Sequence, residues 1–153
     1  MDEIKKIISE ELYKNILMCE VKIQVKDYKK QGYATQIGKM YADKFNAYSP
    51  ISVEGYLGLD SDNYRDLIKK LNINTEILPE SSANYFKIKL KNGDLLEIVR
   101  SSVPASAFIF VNKKNIAIIN NTAELFSNSL PILAYNYYSN YISEQNKQEK
   151  QNN

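Results

Sequence analysis

The sequence predicts an α+β fold, with a helical N-terminal half and a C-terminal helix packed on a four-stranded antiparallel meander. Three observations indicate this fold class: helical apolar spacing in the first half, two successive hairpin patterns in the second, and helical spacing again from residue 130. The 153 residues can bury a core without disulfides or metals. We expect one domain over residues 1–142, and a polar tail over 143–153 that is predicted to be disordered.

The chain opens with a predicted amphipathic helix and a predicted strand. Apolar residues recur at helical spacing over residues 2–18, with charged residues between them. Val21, Ile23 and Val25 then alternate with polar residues, which is typical of a half-buried strand, although a continued helix is the alternative. This strand would extend the meander.

Between residues 31 and 74 the sequence predicts three helices, with a break before the first and a turn before the third. After a break at Gln31-Gly32, a helix is expected over residues 35–45. Ser49-Pro50 is typical of a helix start, which predicts a short helix as far as Leu57. Asp60 is a good N-cap for a further helix that ends at residues 72–74.

A hairpin is predicted where residues 85–90 and 95–99 flank Lys91-Asn92-Gly93. If Gly93 takes the left-handed position of a three-residue loop, the register follows from the loop length. The predicted cross-strand pairs are Phe86–Ile98, Ile88–Leu96 and Lys87–Glu97. This register gives one apolar face and one charge-paired face.

The remaining elements are a second hairpin and a C-terminal helix. The second hairpin has strands over residues 107–111 and 116–119 around a loop at residues 112–115. Its strands are more uniformly apolar than those of the first hairpin, so it is expected to lie centrally or to be covered on both faces. Asn121, three residues before Glu124, is typical of the start of a short helix. Beyond Pro131 the helical pattern continues as far as residue 142.

Composition excludes most familiar catalytic sites. The absence of His removes the commonest general base and the usual zinc ligand, and we recognise no nucleophile arrangement or phosphate loop. The single Cys19 is interpreted as a small buried hydrophobe. No segment resembles a signal peptide or a membrane span, so a reducing cytoplasm is the expected compartment.

The net charge limits the class of partner that we expect, and the amino-acid composition indicates the kind of source organism. With 20 basic against 18 acidic residues, the chain does not have the charge of a general polyanion binder. Asn, Ile, Lys and Tyr are abundant, as an AT-rich genome produces through codon usage. We therefore expect the source to be a low-GC bacterium, or a phage or plasmid that lives in one.

Two segments rich in Tyr or Lys are the candidate partner-binding surfaces. Tyr offers a large contact area with a polar tip, and Lys beside Tyr suits an acidic protein or a nucleic acid. The predicted partner-binding residues are Tyr135, Tyr138, Tyr141, Lys26, Lys29, Lys30 and Tyr33. The alternative for the C-terminal tyrosines is a place in the core, and the alternative for the lysines is a solvated face.

Residues 50–71 resemble the helix-turn-helix of DNA-binding regulators. A Leu57-Gly58-Leu59 turn is followed by a helix whose Tyr64 and Leu67 occupy inward positions of that motif. The resemblance implies a dimer whose DNA-contacting side chains are Ser61, Asn63, Arg65 and Lys69. Glu54 stands where the motif has a small residue, and the alternative is a plain helical hairpin packed on the sheet.

The sequence therefore predicts a non-enzymatic protein that binds another macromolecule, such as a small inhibitor, immunity or adaptor protein. The expected partner is another protein, a host or defence-system component, and a homodimer is left open. A DNA-binding transcriptional regulator that uses residues 50–71 is the alternative function. No metal or cofactor is expected, and catalysis would need Asp, Glu, Lys or Tyr chemistry alone.

Overall fold

The computed structural model describes residues 19–72, 83–102 and 105–151, which form an α+β fold around one mixed sheet. The strands are β1 (Glu20–Val25), β2 (Pro50–Leu59), β3 (Ala83–Leu90), β4 (Leu95–Ser102), β5 (Ala105–Val111) and β6 (Lys114–Ile119). The helices are α1 (Gln31–Lys44), α2 (Ser61–Leu71), α3 (Thr122–Ser127) and α4 (Leu130–Gln151), with 3-10 turns at Tyr28–Lys30 and Phe45–Tyr48. The helix predicted over residues 2–18 lies outside the described residues.

The six strands lie in the sheet in sequence order. β1 and β2 are parallel and are joined through α1, whereas every later pair is antiparallel. The predicted α+β class is thus confirmed. The predicted four-stranded meander is in fact five strands, β2 to β6, extended by the parallel edge strand β1.

Residues 50–59 form strand β2, where the sequence predicted a helix and a turn. Ser49 takes a left-handed conformation with φ 50°, and Pro50 then begins a strand, which is a position that Pro tolerates. β2 pairs with β1 on one side and with β3 on the other. This pairing with remote segments overrides the local helix-start signal.

One face of the sheet is covered by α1 and α4. The side chains that pack there are buried and apolar, and they include Ala34, Tyr41, Phe45, Ile88, Ile98, Leu133 and Tyr138. α1 lies very close to β1 at Gly38, since a Cβ at this position would overlap the side chain of Val21 and lie 2.9 Å from Ile23 Cδ1. More buried apolar side chains pack on this face than on the opposite face, so the larger part of the core lies here.

The opposite face is covered by α2. Tyr64, Ile68 and Leu71 of this helix pack against Val99 and Phe110 of the sheet. Val99 directly follows Ile98 in β4, and consecutive strand residues point to opposite faces, so α1 and α2 lie on opposite sides.

The ends of α2 confirm the predicted helix. An Asp60 carboxylate oxygen accepts a hydrogen bond from the Asn63 amide at 2.9 Å. The helix ends at Asn72, which has a left-handed φ of 56°.

The predicted register of the first hairpin is confirmed. Phe86 faces Ile98 and Ile88 faces Leu96, with Gly93 at φ 95° in the loop. Lys87 also faces Glu97 as predicted.

The ion-pair partner of Glu97, however, is a lysine from another hairpin. Only 2% of the Glu97 side chain is exposed, and its carboxylate lies 2.7 Å from Lys113 Nζ. The same carboxylate accepts the Tyr85 hydroxyl at 2.6 Å. Burial, together with this hydrogen bond to Glu97, raises the pKa of Tyr85 well above its usual range.

The second hairpin is present, but it lies at the edge of the sheet. Its two-residue turn, Asn112-Lys113, has positive φ at both positions, as a tight hairpin turn requires. β6 pairs with β5 alone, and 56% of Ile118 remains exposed. The prediction that this hairpin is central or covered on both faces is therefore wrong for β6.

The C-terminal region is helical for longer than the sequence predicted. Asn121 caps α3 by accepting the Glu124 amide at 3.3 Å, as expected. The polar segment predicted to be a disordered tail from residue 143 instead continues α4 as far as Gln151. Gln, Glu and Lys are good helix formers, which accounts for this extension. Within the described ranges, no helix has both the length and the hydrophobicity that a bilayer crossing needs.

Replacing Gly38 by Ala tests the close approach of α1 to β1. The new methyl group would overlap Val21, so the free energy of unfolding should fall by about 1–3 kcal/mol in urea titrations. Gly32→Ala is the matched control, because a Cβ there meets no atom within 4 Å and Ala favours helix. Equal stability of the two variants would contradict the packing.

Replacing Lys113 by Met tests the buried ion pair. This change leaves the Glu97 carboxylate with Tyr85 but without a cation, so urea unfolding should show a loss of about 1–2 kcal/mol. Lys91→Met, at an exposed lysine in the β3–β4 loop, is the control and should leave stability within about 0.5 kcal/mol of the parent. A Lys113→Met protein as stable as this control would show that Lys113 does not stabilise Glu97.

Candidate functional site

The parallel strands β1 and β2 end side by side, and the chain leaves them toward opposite faces of the sheet. After β1 it passes to α1, and after β2 it passes to α2, which lies on the other side. Where the connections that follow two adjacent parallel strands pass to opposite faces of the sheet, a crevice opens at the carboxyl ends of those strands. In this protein the crevice is a cleft of about 560 Å³.

The cleft has an apolar floor and a polar rim. Val25, Leu57 and Leu59 contribute the apolar surface at the ends of the two strands. Asn84 of β3 closes one side, and its Oδ1 accepts the Gly58 amide at 3.0 Å. Gly58 has φ 79°, where β2 departs from regular pairing with β3, and glycine adopts this conformation without strain.

The residues that precede α1 hold the basic side of the cleft in place. An Asp27 carboxylate oxygen accepts the Lys29 amide at 3.0 Å, and the Asp27 carbonyl accepts the Lys30 amide at 3.0 Å. The side-chain amide of Gln31 donates to the carbonyl of Ile23 in β1. The backbone is therefore fixed, while the lysine side chains extend into solvent.

This side of the cleft carries more positive than negative charge. Lys26 Nζ lies 3.7 Å from the Asp60 carboxylate, but 75% of the lysine side chain is exposed, so this pair is weak. Lys29 and Lys30 form no ion pair with any residue that the structure describes. These charges are therefore available to an acidic partner.

Two tyrosines are exposed among these lysines. Tyr28 is 80% exposed and Tyr33 is 63% exposed, which is unusual for side chains with so much apolar surface. We call the set Lys26, Tyr28, Lys29, Lys30 and Tyr33 the β1–α1 rim. Four of these five residues, all except Tyr28, are among the partner-binding residues predicted from the sequence. Lys26, Lys30 and Tyr33 line the cleft, and Tyr28 and Lys29 lie in the same 3-10 turn as Lys30.

The tyrosines of α4 are placed differently. Tyr138 is fully buried, its hydroxyl donates to Asp94 at 2.6 Å, and it accepts from Asn92 at 2.9 Å. The structure therefore assigns Tyr138 to the core, where it joins α4 to the β3–β4 loop. Tyr135 is half-buried against Phe45, with ring centroids 5.5 Å apart, and Tyr141 is also half-buried. The predicted surface of C-terminal tyrosines is thus largely packed inside the domain.

The helix-turn-helix predicted over residues 50–71 is wrong, because the first half of this segment is strand β2. The predicted DNA-contacting residues Ser61, Asn63, Arg65 and Lys69 all lie on α2, the one helix of that segment. The side chains of Asn63, Arg65 and Lys69 are exposed, and Arg65 lies 4.0 Å from the Asp62 carboxylate. The two-helix geometry that would insert α2 into a DNA groove is missing here.

The described residues offer neither a metal-binding cluster nor a reactive cysteine. No group of three or more acidic or Cys side chains there is arranged to hold a metal ion. Cys19 is buried, and burial raises the pKa of its thiol, which keeps it protonated at neutral pH. This placement agrees with its interpretation as a small buried hydrophobe.

Comparisons of the chain with protein-family models, with curated proteins and with solved structures gave no match. The cleft and the β1–α1 rim are therefore the features from which a function is inferred.

The hydrogen bonds of Tyr138 predict a pH-dependent effect on stability. Burial, together with the bond to Asp94, raises the pKa of Tyr138, so the native state holds this proton more tightly than the unfolded chain. The hydroxyl therefore stabilises the fold fully below about pH 10, and this stabilisation is lost as the pH rises further. Tyr138→Phe should lower the free energy of unfolding by about 1–2 kcal/mol at neutral pH.

Urea titrations of the parent and of Tyr138→Phe near pH 7.5 and near pH 10.5 measure this effect. The difference between the two proteins should shrink at the higher pH, because only the parent loses the hydroxyl contribution. Lysines also titrate in this pH range, but both proteins contain the same lysines, so their effect on the free energy of unfolding cancels in the difference. A difference that stays constant or grows with pH would contradict the assignment of the proton to Tyr138.

Proposed function

We propose that this protein is a non-enzymatic binding protein that recognises an acidic segment of another protein through the β1–α1 rim and the adjoining cleft. One observation carries the proposal: Tyr28 and Tyr33 are exposed beside lysines that lack strong partners, at the mouth of a cleft with an apolar floor. This combination suits a small inhibitor, immunity or adaptor protein in the cytoplasm of a low-GC bacterium, or of its phage or plasmid.

Tyrosine and lysine make different contributions to such an interface. Tyr28 and Tyr33 supply rigid surface that becomes buried on binding, and tyrosine is enriched among the residues that dominate binding energy. The lysines supply steering and charge complementarity. No arginine lies in the rim, so a partner would be recognised by charge and shape rather than by paired hydrogen bonds to one carboxylate.

The cleft adds a place for one anchoring side chain. A partner segment that crosses the rim would set its carboxylates against Lys29 and Lys30 and direct an apolar side chain toward Val25 and Leu57. A partner surface held in this way is covered, which is how an inhibitor or immunity protein blocks its target. An adaptor would use the same contacts to hold its partner beside another molecule.

Capture experiments with charge-reversed variants test the proposal. The tagged protein is mixed with nuclease-treated lysate of the source organism, and retained proteins are identified at low and moderate salt. Lys29→Glu combined with Lys30→Glu should reduce the yield of the specific partner at least about tenfold, because it reverses the charge of the rim. Higher salt should weaken capture by the parent protein.

The matched control is Lys89→Glu combined with Lys91→Glu, which makes the same charge change at exposed lysines of β3 and its loop. The control should retain the partner at the parental yield. An equal loss of captured partner in both double variants would show that only the net charge of the protein matters, and this result would overturn the assignment of the rim as the binding surface. Capture from untreated lysate serves as a comparison, and a complex that forms there but not in the nuclease-treated lysate would contradict a protein partner.

A further inference from the structure

A second cavity lies between α1, strands β3 and β4, and the start of α4. Its volume is about 300 Å³, which is at the lower end of the range for small-molecule sites. Ile37 and Met40 of α1, Phe86 of β3 and Leu130 of α4 give it an apolar wall. Polar atoms of Tyr41, Arg100 and Ser129 belong to residues that line the same cavity.

Two hydroxyl groups of this cavity are buried without a hydrogen-bond partner. Tyr41 is 0% exposed, and its hydroxyl bonds to no other atom of the described residues. The Oγ of Ser129 is buried and unpartnered in the same way. Leaving a buried polar group unpaired destabilises a fold, and two such groups at one cavity point to an acceptor that the described residues do not supply.

A positive charge lies beside these hydroxyls. Arg100 follows Ile98 by two residues in β4 and so points to the face that α1 and α4 cover. Tyr41 and Arg100 line the same cavity. Burial raises the pKa of Tyr41, and the positive charge of Arg100 opposes that rise. No carboxylate of the described residues forms an ion pair with Arg100.

The start of α4 contributes to the same electrostatic environment. Ser129 immediately precedes α4, a helix of 22 residues, and its carbonyl accepts the Leu133 amide at 3.1 Å. The N-terminal end of a helix carries partial positive charge, which favours a nearby anion.

We propose that this cavity binds a small monoanion with a carboxylate head and a compact apolar body. The carboxylate accepts hydrogen bonds from the guanidinium of Arg100 and from the hydroxyls of Tyr41 and Ser129. The body packs against Ile37, Met40 and Phe86. One cation with two neutral donors matches the single charge of a carboxylate better than the double charge of a phosphate monoester. This inference does not rest on the proposed protein partner, although Tyr33 of the β1–α1 rim and Asn84 of the cleft also line this cavity.

Thermal unfolding of the full chain with added small acids tests the proposal. Benzoate, phenylacetate and hexanoate are the probes, and the corresponding amides are their uncharged counterparts. At least one acid should raise the unfolding temperature in a concentration-dependent way, and its amide should not. The absence of any shift with all three acids up to about 10 mM, confirmed by isothermal titration calorimetry, would overturn the proposal.

Two variants assign the effect to the cavity. Arg100→Met should weaken binding of the active acid at least about tenfold. Tyr41→Phe should also weaken binding severalfold. Without ligand this variant should be as stable as the parent or more stable, because the Tyr41 hydroxyl bonds to none of the described residues. Binding that is unchanged in both variants would place the anion elsewhere and contradict the site.

Tyr64→Phe is the matched control. Tyr64 is equally buried, but it lies on the other face of the sheet, and its hydroxyl is hydrogen-bonded to Ser101. This variant should lose some stability without ligand and should bind the acid as the parent does. A Tyr41→Phe protein that behaves like Tyr64→Phe would show that the Tyr41 hydroxyl has only a structural role.

Discussion

The architecture depends on the close packing of α1 against β1 at Gly38. Because this residue has no side chain, the helix lies directly on Val21 and Ile23 and returns the chain to a strand parallel to β1. The carboxyl ends of β1 and β2 therefore lie side by side. α2 then covers the opposite face, and the cleft opens where the two connections separate.

Features fixed by neighbours in the sequence could be predicted from it. The register of the hairpin around Gly93 follows from loop length and alternating polarity, and both are local properties. The Asp60 cap of α2 and the alternation of apolar and polar residues in β1 also depend only on residues that are close together in the sequence. Four residues of the rim could also be grouped from the sequence, because lysine and tyrosine concentrate in one short segment.

Features that depend on remote contacts could not be predicted. Ile51, Val53, Leu57 and Leu59 alternate as a strand requires, yet Ser49-Pro50 and Gly58 equally suit a helix start and a turn. Pairing of β2 with β1 and β3 decides between the two, so the β2 wall of the cleft was missed. The burial of Tyr138 likewise depends on Asn92 and Asp94, about 45 residues earlier in the chain.

In the proposed function, a partner covers the β1–α1 rim. Amide hydrogen exchange of the protein alone and in its captured complex reports on this contact. Exchange in the complex should be slower for peptides that span residues 26–36 and unchanged for α2 and the β5–β6 turn. Slower exchange confined to α2 or to that turn, with residues 26–36 unchanged, would contradict it.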